Sequence, residues 1–291
     1  MPTMPFADAA LAAMARLFSR GELAHTGDMK AAIQTEDAFR AYRTKEAERV
    51  MAALHRFGLD LTGKRVLDLG CDTGSLSVEF ANRGAASVVA VDISAAAIEE
   101  ARRRHADSNV AFAVSELAAL PIPDASVDLI LSYDVFEHVS NPLALLRECR
   151  RVLVPGGEML IGTWGWGHPF AHHFFAEMPV PWAHLFVSDA TLQRACRRVC
   201  ASPWYVPTWQ GTREARTMDL DAPLDREFPS RDYLNRYYVK DFERSFEESG
   251  LRWRVDLLPF GRLPWVAPLL RIPGVREYFH AYVWAHLQSK P

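Results

Sequence analysis

The residues best suited to chemistry are acids and glycines that follow short apolar runs. The run 66–69 leads into a turn that carries Gly70 and Gly74, and the run 88–91 ends at Asp92. Glycines in such a turn allow a ligand to approach the backbone, and an acid after the second run can accept hydrogen bonds from both hydroxyls of a ribose. This order predicts a βαβ unit that binds a nucleoside.

The spacing and the charge of the turn favour one class of nucleoside. A dinucleotide site requires the pattern G-x-G-x-x-G, whereas the spacing here is Gly70-x-x-x-Gly74. Asp68 precedes the turn and Asp72 lies within it. Carboxylates at these positions repel a pyrophosphate but suit a ligand that carries an ammonium group and a sulfonium.

Composition limits the partners. The chain has 291 residues, 49% hydrophobic and 24% charged, which is ordinary for one large globular domain or a domain with an insertion. A net charge of −3 argues against a nucleic-acid surface. No apolar run approaches the roughly 20 residues of a membrane span, and the N-terminus lacks a basic region followed by an apolar core, so we expect no secretion signal. We therefore expect a reduced, cytoplasmic enzyme with a small-molecule substrate, and the oligomeric state is left open. The cysteines match no zinc spacing: Cys71, Cys149, Cys196 and Cys200.

Apolar periodicity predicts alternating strands and helices after an N-terminal helix over 35–57. Because parallel strands need helical crossovers, this alternation predicts an α/β fold whose sheet has helices on both faces. The predicted strands are 65–70, 87–92, 109–114, 127–132, 158–163, 251–258 and 277–288. The predicted helices between them are 74–83, 94–105, 141–152 and 239–249.

From Val66 to Thr163 the chain resembles the class I S-adenosylmethionine-dependent methyltransferases. The glycine turn resembles the signature loop of that family, Asp-x-Gly-x-Gly-x-Gly, with Asp72 in place of the middle glycine. Three further segments agree in order: Glu116 ahead of Leu120-Pro121, the stretch 132–139 after the fourth strand, and the turn 153–157.

The resemblance implies a Rossmann-like, seven-stranded, mostly parallel sheet that ends in an antiparallel edge hairpin. It implies four segments: an N-terminal helical segment covering the site (1–58), a cofactor-binding core (59–163), an aromatic-rich lid insertion after the fifth strand (164–236), and the rest of the core sheet (237–291). The implied cofactor is S-adenosylmethionine, released as S-adenosylhomocysteine. The expected cofactor-binding residues are Tyr42, Arg43, Asp68, Gly70, Cys71, Asp72, Gly74, Asp92, Ile93, Glu116, Leu117, Ser132 and Tyr133.

Candidate catalytic residues fall in two places. His138 is either a base or a residue that orders its loop, and Tyr133 either stacks on the sulfonium or fills space. In the insertion, His168 and His172 have helical i, i+4 spacing, and His184 follows. Substrate binding or acid–base chemistry is the favoured role of these three, because a metal needs three converging ligands and histidines in aromatic clusters usually bond to backbone. We therefore predict no metal.

Three functions fit this pattern. The first is methyl transfer from S-adenosylmethionine to a small apolar or aromatic metabolite. The second keeps the cofactor but attacks another carbon next to sulfur, by aminocarboxypropyl transfer or intramolecular cyclisation, and releases methylthioadenosine. The third is a non-catalytic partner protein that binds the cofactor.

Overall fold

The computed structural model describes residues 7–19, 36–117, 119–174, 178–205, 234–260 and 266–291. Within these ranges the chain separates into two compact units. The first unit comprises residues 1–45, 166–231 and 259–281, and the second comprises residues 46–165, 232–258 and 282–291. None of the described helices is both long and apolar enough to cross a membrane.

Seven strands form one sheet in the order β3-β2-β1-β4-β5-β7-β6. The first five pair in parallel, and β7 runs antiparallel to β5, so the predicted mostly parallel sheet is confirmed. The strands are β1 Arg65–Leu69, β2 Ser87–Asp92, β3 Val110–Val114, β4 Val127–Tyr133, β5 Leu153–Thr163, β6 Arg252–Pro259 and β7 His280–Gln288.

The described helices alternate with the strands only from β1 to β3 and again from β4 to β5. In chain order they are α1 Ala7–Phe18, α2 Glu36–Phe57, α3 Ser75–Asn82, α4 Ala95–Arg104, α5 Pro142–Val152, α6 Ala183–Phe186, α7 Asp189–Cys200, α8 Val239–Ser249, α9 Val266–Leu269 and α10 Arg276–Phe279. A short 3-10 helix, Phe136–His138, follows β4.

Helix boundaries follow local capping chemistry. The Ser94 hydroxyl accepts the Ala97 N–H at 3.2 Å at the start of α4, and the Asn141 side chain does the same for Ala144 at 3.1 Å in front of Pro142. Gly250 ends α8 with a left-handed φ of 75°. These three positions confirm the predicted ends of the helices.

Both faces of the sheet are covered by helices, as predicted. On one face α5 and α8 bury Leu146 and Phe242 against strand residues such as Leu67 and Ile130. On the other face α2 and α3 bury Leu54 and Phe80 against alternate strand residues. Because neighbouring strand residues point to opposite faces, β1 contributes Leu67 to one core and Val66 to the other.

Two predicted strand boundaries are wrong. The segment 153–157 reads as a turn, yet β5 already begins at Leu153, which pairs with Val127 before the register shifts to Leu129 and Glu158. The predicted strand 277–288 begins with the one-turn helix α10, and the strand itself starts at His280.

Candidate functional site

The turn between β1 and α3 combines three left-handed residues. The φ angles are 74° at Gly70, 48° at Asp72 and 82° at Gly74. Asp72 stands where the related signature has a glycine, and aspartate is among the non-glycine residues that adopt this conformation most readily. The turn therefore keeps its left-handed geometry despite the missing glycine.

Close packing also requires the two glycines. A Cβ at Gly70 would lie 2.2 Å from Cγ2 of Val135, and one at Gly74 would lie 2.5 Å from the Phe112 ring. The side-chain positions of these glycines thus face neighbouring residues of the protein. Any ligand approaches this turn from its exposed backbone side.

Asp92, at the end of β2, forms a hydrogen bond with the turn that follows β1. Its Oδ2 accepts the Asp72 N–H at 2.9 Å, and its Oδ1 accepts the Ser94 N–H at 2.8 Å. Each carboxylate oxygen has two lone pairs, so both retain capacity for a further donor such as a ribose hydroxyl. This arrangement fits the role predicted for Asp92.

Asp68 and Cys71 are buried under the turn. The Asp68 carboxylate accepts the Ser77 hydroxyl at 2.6 Å and so ties β1 to α3. Burial, with the Asp68 and Asp92 charges as further causes, raises the pKa of the Cys71 thiol far above its usual value. The thiol is therefore protonated and packs as a small apolar group against Ala90 and Ile98.

The edge beside β2 and β3 suits a flat apolar ring. Ile93 follows β2 and is 71% exposed, and Val114 at the end of β3 is 49% exposed. Glu116 is exposed and Leu117 half-buried two residues further on. Exposed apolar side chains next to an acid fit an adenine ring with its amino group, so the residues present fit a nucleoside cofactor.

At the end of β4, Tyr133 packs against two rings of β7. Its ring centroid lies 5.7 Å from that of Tyr282 and 5.9 Å from that of Trp284. The neighbouring Ser132 hydroxyl is buried and, within the described ranges, has no hydrogen-bond partner. A buried hydroxyl of this kind is suited to a ligand or an ordered water.

His138 ends the 3-10 helix after β4 and is half-buried. The Asn235 side-chain amide donates to the carbonyl oxygens of Phe136 and Val139, so a distant residue closes this loop. Glu137, which the sequence analysis did not select, is buried, and its Oε2 accepts the Thr163 hydroxyl at 2.6 Å. Burial raises the pKa of Glu137 to about 7.

The three candidate histidines of the predicted insertion, His168, His172 and His184, lie in the first unit, and all three are buried. Residues 166–174 form turns, so the predicted helical relation of His168 and His172 is wrong. Their Nδ1 atoms accept the N–H groups of Phe170 and Phe174 at 3.1 and 3.0 Å. His184 Nε2 lies 2.9 Å from the Trp166 carbonyl oxygen. Backbone contacts therefore orient all three rings.

Tyr42 and Arg43 are half-buried on α2, and their proposed contact with the methionine carboxylate stays a prediction. That residues 164–236 form a lid also stays a prediction, and residues 206–233 of that segment lie outside the described ranges.

Residues 67–161 match the family model described as a methyltransferase domain. This third of the chain, which contains the glycine turn and Asp92, is therefore similar to methyltransferase domains. Among curated relatives, "Ubiquinone biosynthesis O-methyltransferase" of Pseudomonas aeruginosa (strain LESB58) is 35% identical over 106 residues, which is 35% of this chain and 45% of the relative. The protein of the same name from Xanthomonas oryzae pv. oryzae (strain PXO99A) is 38% identical over 110 residues, 36% of this chain and 45% of the relative. The chain thus spans less than half the length of these relatives.

Solved structures of methyltransferases have the same fold as this chain. An S-adenosylmethionine-dependent methyltransferase from Mesorhizobium loti superimposes with a TM-score of 0.51 at 18% identity, over 81% of this chain and 96% of that one. An N-methyltransferase of Haemonchus contortus was solved with phosphomonomethylethanolamine and S-adenosylhomocysteine. It superimposes with a TM-score of 0.53 at 18% identity, over 84% of this chain and 53% of that one.

Proposed function

We propose that this protein transfers the methyl group of S-adenosylmethionine to an oxygen of a small apolar or aromatic molecule. One observation carries the proposal: the methyltransferase-domain match, residues 67–161, contains the Asp92 carboxylate held by the Asp72 and Ser94 amides. The curated relatives bear the name O-methyltransferase, which supports oxygen as the first acceptor atom to test.

Asp92 would hold the ribose, and Ile93, Glu116 and Leu117 the adenine. Tyr42 and Arg43 would reach the methionine carboxylate. The cofactor itself supplies an electrophilic methyl group and a neutral leaving group. The residues of this chain then have to bind, orient and remove a proton from the acceptor.

His138 is the proposed base for that proton. It is half-buried in a loop that Asn235 closes, which limits its movement. It also follows Glu137, whose carboxyl is buried and changes protonation near neutral pH. An imidazole held in a fixed loop is a common general base in enzymes.

An apolar or aromatic acceptor is proposed from the composition of the first unit. Trp182 packs against Phe260 and Phe279 at centroid distances of 6.3 and 6.0 Å, and His168 lies 6.0 Å from the Phe260 ring. Aromatic rings with backbone-fixed imidazoles would suit an apolar molecule, which is bound through few polar contacts. His168, His172 and His184 are accordingly proposed to bind the acceptor.

The test is product analysis with the full chain, S-adenosylmethionine and a panel of phenols, catechols and amines. Formation of S-adenosylhomocysteine with one methylated phenol supports the proposal. Methylated amines alone would replace oxygen by nitrogen as the acceptor atom. Methylthioadenosine as the by-product would contradict methyl transfer and support attack at another carbon next to sulfur. Asp92→Ala serves as the variant that abolishes turnover.

A further inference from the structure

A hydrogen bond between two strands orients an acid at the edge of the sheet. The Tyr282 hydroxyl on β7 donates to Oδ1 of Asp134 at 2.7 Å. Asp134 directly follows β4 and has a left-handed φ of 55°. Burial raises the pKa of Tyr282 well above its usual value, and the Asp134 charge adds to the effect. The phenol therefore stays protonated and is a permanent donor to this carboxylate.

Gly162 makes this contact possible. β5 lies between β4 and β7, so Tyr282 has to cross β5 to reach Asp134. A Cβ at Gly162 would lie 2.7 Å from the Tyr282 hydroxyl oxygen and 2.7 Å from the Trp284 ring. The Gly162 carbonyl oxygen also accepts the Asp134 N–H at 2.9 Å. The bare backbone of β5 thus supports both the carboxylate and its donor.

The acid lies next to the cofactor turn. β4 is the neighbour of β1 on the side opposite β2. Val135, the residue after Asp134, fills the space that a side chain at Gly70 would occupy. The ribose site at Asp92 and the ring site at Ile93 lie on the β2 side of the turn. Adjacent strands are about 4.8 Å apart, so a nucleoside that extends from β2 across the turn would bring its sulfur towards the end of β4.

We propose that Asp134, oriented by Tyr282, is the carboxylate that faces the positive sulfur of bound S-adenosylmethionine and favours it over S-adenosylhomocysteine. Two other acids of this edge already make structural contacts: Asp92 accepts two backbone N–H groups, and Asp68 is buried against Ser77. A carboxylate a few ångströms from a sulfonium attracts the charged cofactor, whereas the neutral thioether product gains nothing from it. The inference rests on the cofactor site and does not depend on the acceptor or on methyl transfer.

The experiment is calorimetric titration of the full chain with three ligands. These are S-adenosylmethionine, S-adenosylhomocysteine and an amine analogue that carries an ammonium group in place of the methylsulfonium. The variants are Asp134→Asn and Tyr282→Phe. Asparagine tolerates the left-handed backbone and still accepts from the phenol, so Asp134→Asn removes the charge alone. Asp128→Asn is the matched control, because Asp128 lies at the opposite end of β4 and pairs with Arg65 in an exposed salt bridge.

Asp134→Asn should weaken both cationic ligands roughly tenfold relative to S-adenosylhomocysteine, because only the cations lose an attraction. Tyr282→Phe should change the ratio of the affinity for S-adenosylmethionine to that for S-adenosylhomocysteine about threefold, and Asp128→Asn should leave this ratio unchanged. A purely structural role would weaken all three ligands alike. Equal losses for the three ligands, or a ratio within twofold of the wild type in both variants, would overturn the inference. If the affinity ratio shifts as expected but the protein transfers no methyl group, the proposed function is contradicted and the role of Asp134 is supported.

Discussion

The carboxylate of Asp92 accepts the backbone N–H of Asp72 and so joins the end of β2 to the left-handed turn after β1. One side chain therefore both shapes the turn and offers its remaining lone pairs to a ligand. The proposed binding of a ribose and the geometry of the turn would therefore be coupled at Asp92.

Replacing Asp92 should weaken cofactor binding strongly and lower the stability of the fold less. Asp92→Ala deletes two acceptors of backbone N–H groups and the proposed ribose contact, so we expect at least about 100-fold weaker binding of S-adenosylhomocysteine. Isothermal titration measures this directly. Glu99→Ala, an exposed acid on α4, is the control and should bind like the wild type. Unchanged affinity in Asp92→Ala would contradict the site.

Substitution of Asp72 tests the left-handed turn by urea unfolding. Glycine adopts φ near 48° without strain, so Asp72→Gly should stay within about 1 kcal/mol of the wild type. Asp72→Ala should lose about 1 kcal/mol and Asp72→Val more, because Cβ crowds the following carbonyl in this conformation. Equal stability of the alanine, valine and glycine variants would show that the turn is not left-handed in solution.

Local patterns predicted the parallel core well. Strands β1 to β4, their helices and the acids at their ends are each specified within about ten residues of sequence, where periodicity and capping act. The turn residues Pro155 and Gly156 concealed the early start of β5, because a bulge there keeps the pairing across an apparent turn. The aromatic residues of α10 have strand propensity, and a single helical turn carries too little periodicity to outweigh it.

The contacts of the residues that follow β4 could not be predicted from the sequence. Tyr282 and Asp134 are 148 positions apart, and Glu137 and Thr163 are 26 apart. Contacts of this kind depend on which strands become neighbours in the sheet. Gly162 lies inside a strand rather than in a turn, and it is needed because Tyr282 passes over it. No neighbouring residue in the sequence indicates that contact.

Gly162→Ala should destabilise the protein by roughly 1–3 kcal/mol, because a Cβ would overlap the rings of Tyr282 and Trp284. Gly156→Ala is the comparison, since a Cβ there meets nothing within 4 Å and only its φ of 77° is strained. Adding Tyr282→Phe to Gly162→Ala removes the hydroxyl oxygen and should restore part of the loss. A double variant whose loss equals the sum of the two single losses would contradict the proposed overlap.

The buried histidine His172 should make stability fall at acid pH. Burial lowers the pKa of His172 well below its usual value, so the unfolded chain binds a proton first as the pH falls. Below about pH 6.5 the free energy of unfolding should therefore drop by up to about 1.4 kcal/mol per pH unit. His172→Asn keeps an acceptor for the Phe174 N–H but does not titrate, and should show a shallower slope. His55→Asn removes an exposed histidine and should leave the wild-type slope unchanged.

Glu137 should act in the opposite direction over an overlapping pH range. Its pKa is raised to about 7 in the folded protein, so its carboxyl favours the fold while protonated. That contribution is complete below the unfolded pKa of about 4.5, and it disappears as the pH rises through about 7. The free energy of unfolding of the wild type minus that of Glu137→Gln should therefore decrease between pH 5 and pH 8, by roughly 2–3 kcal/mol. Urea unfolding at both pH values measures it, with Glu99→Gln as the exposed control. A difference that stays constant from pH 5 to pH 8 would contradict the raised pKa of Glu137 in the folded protein.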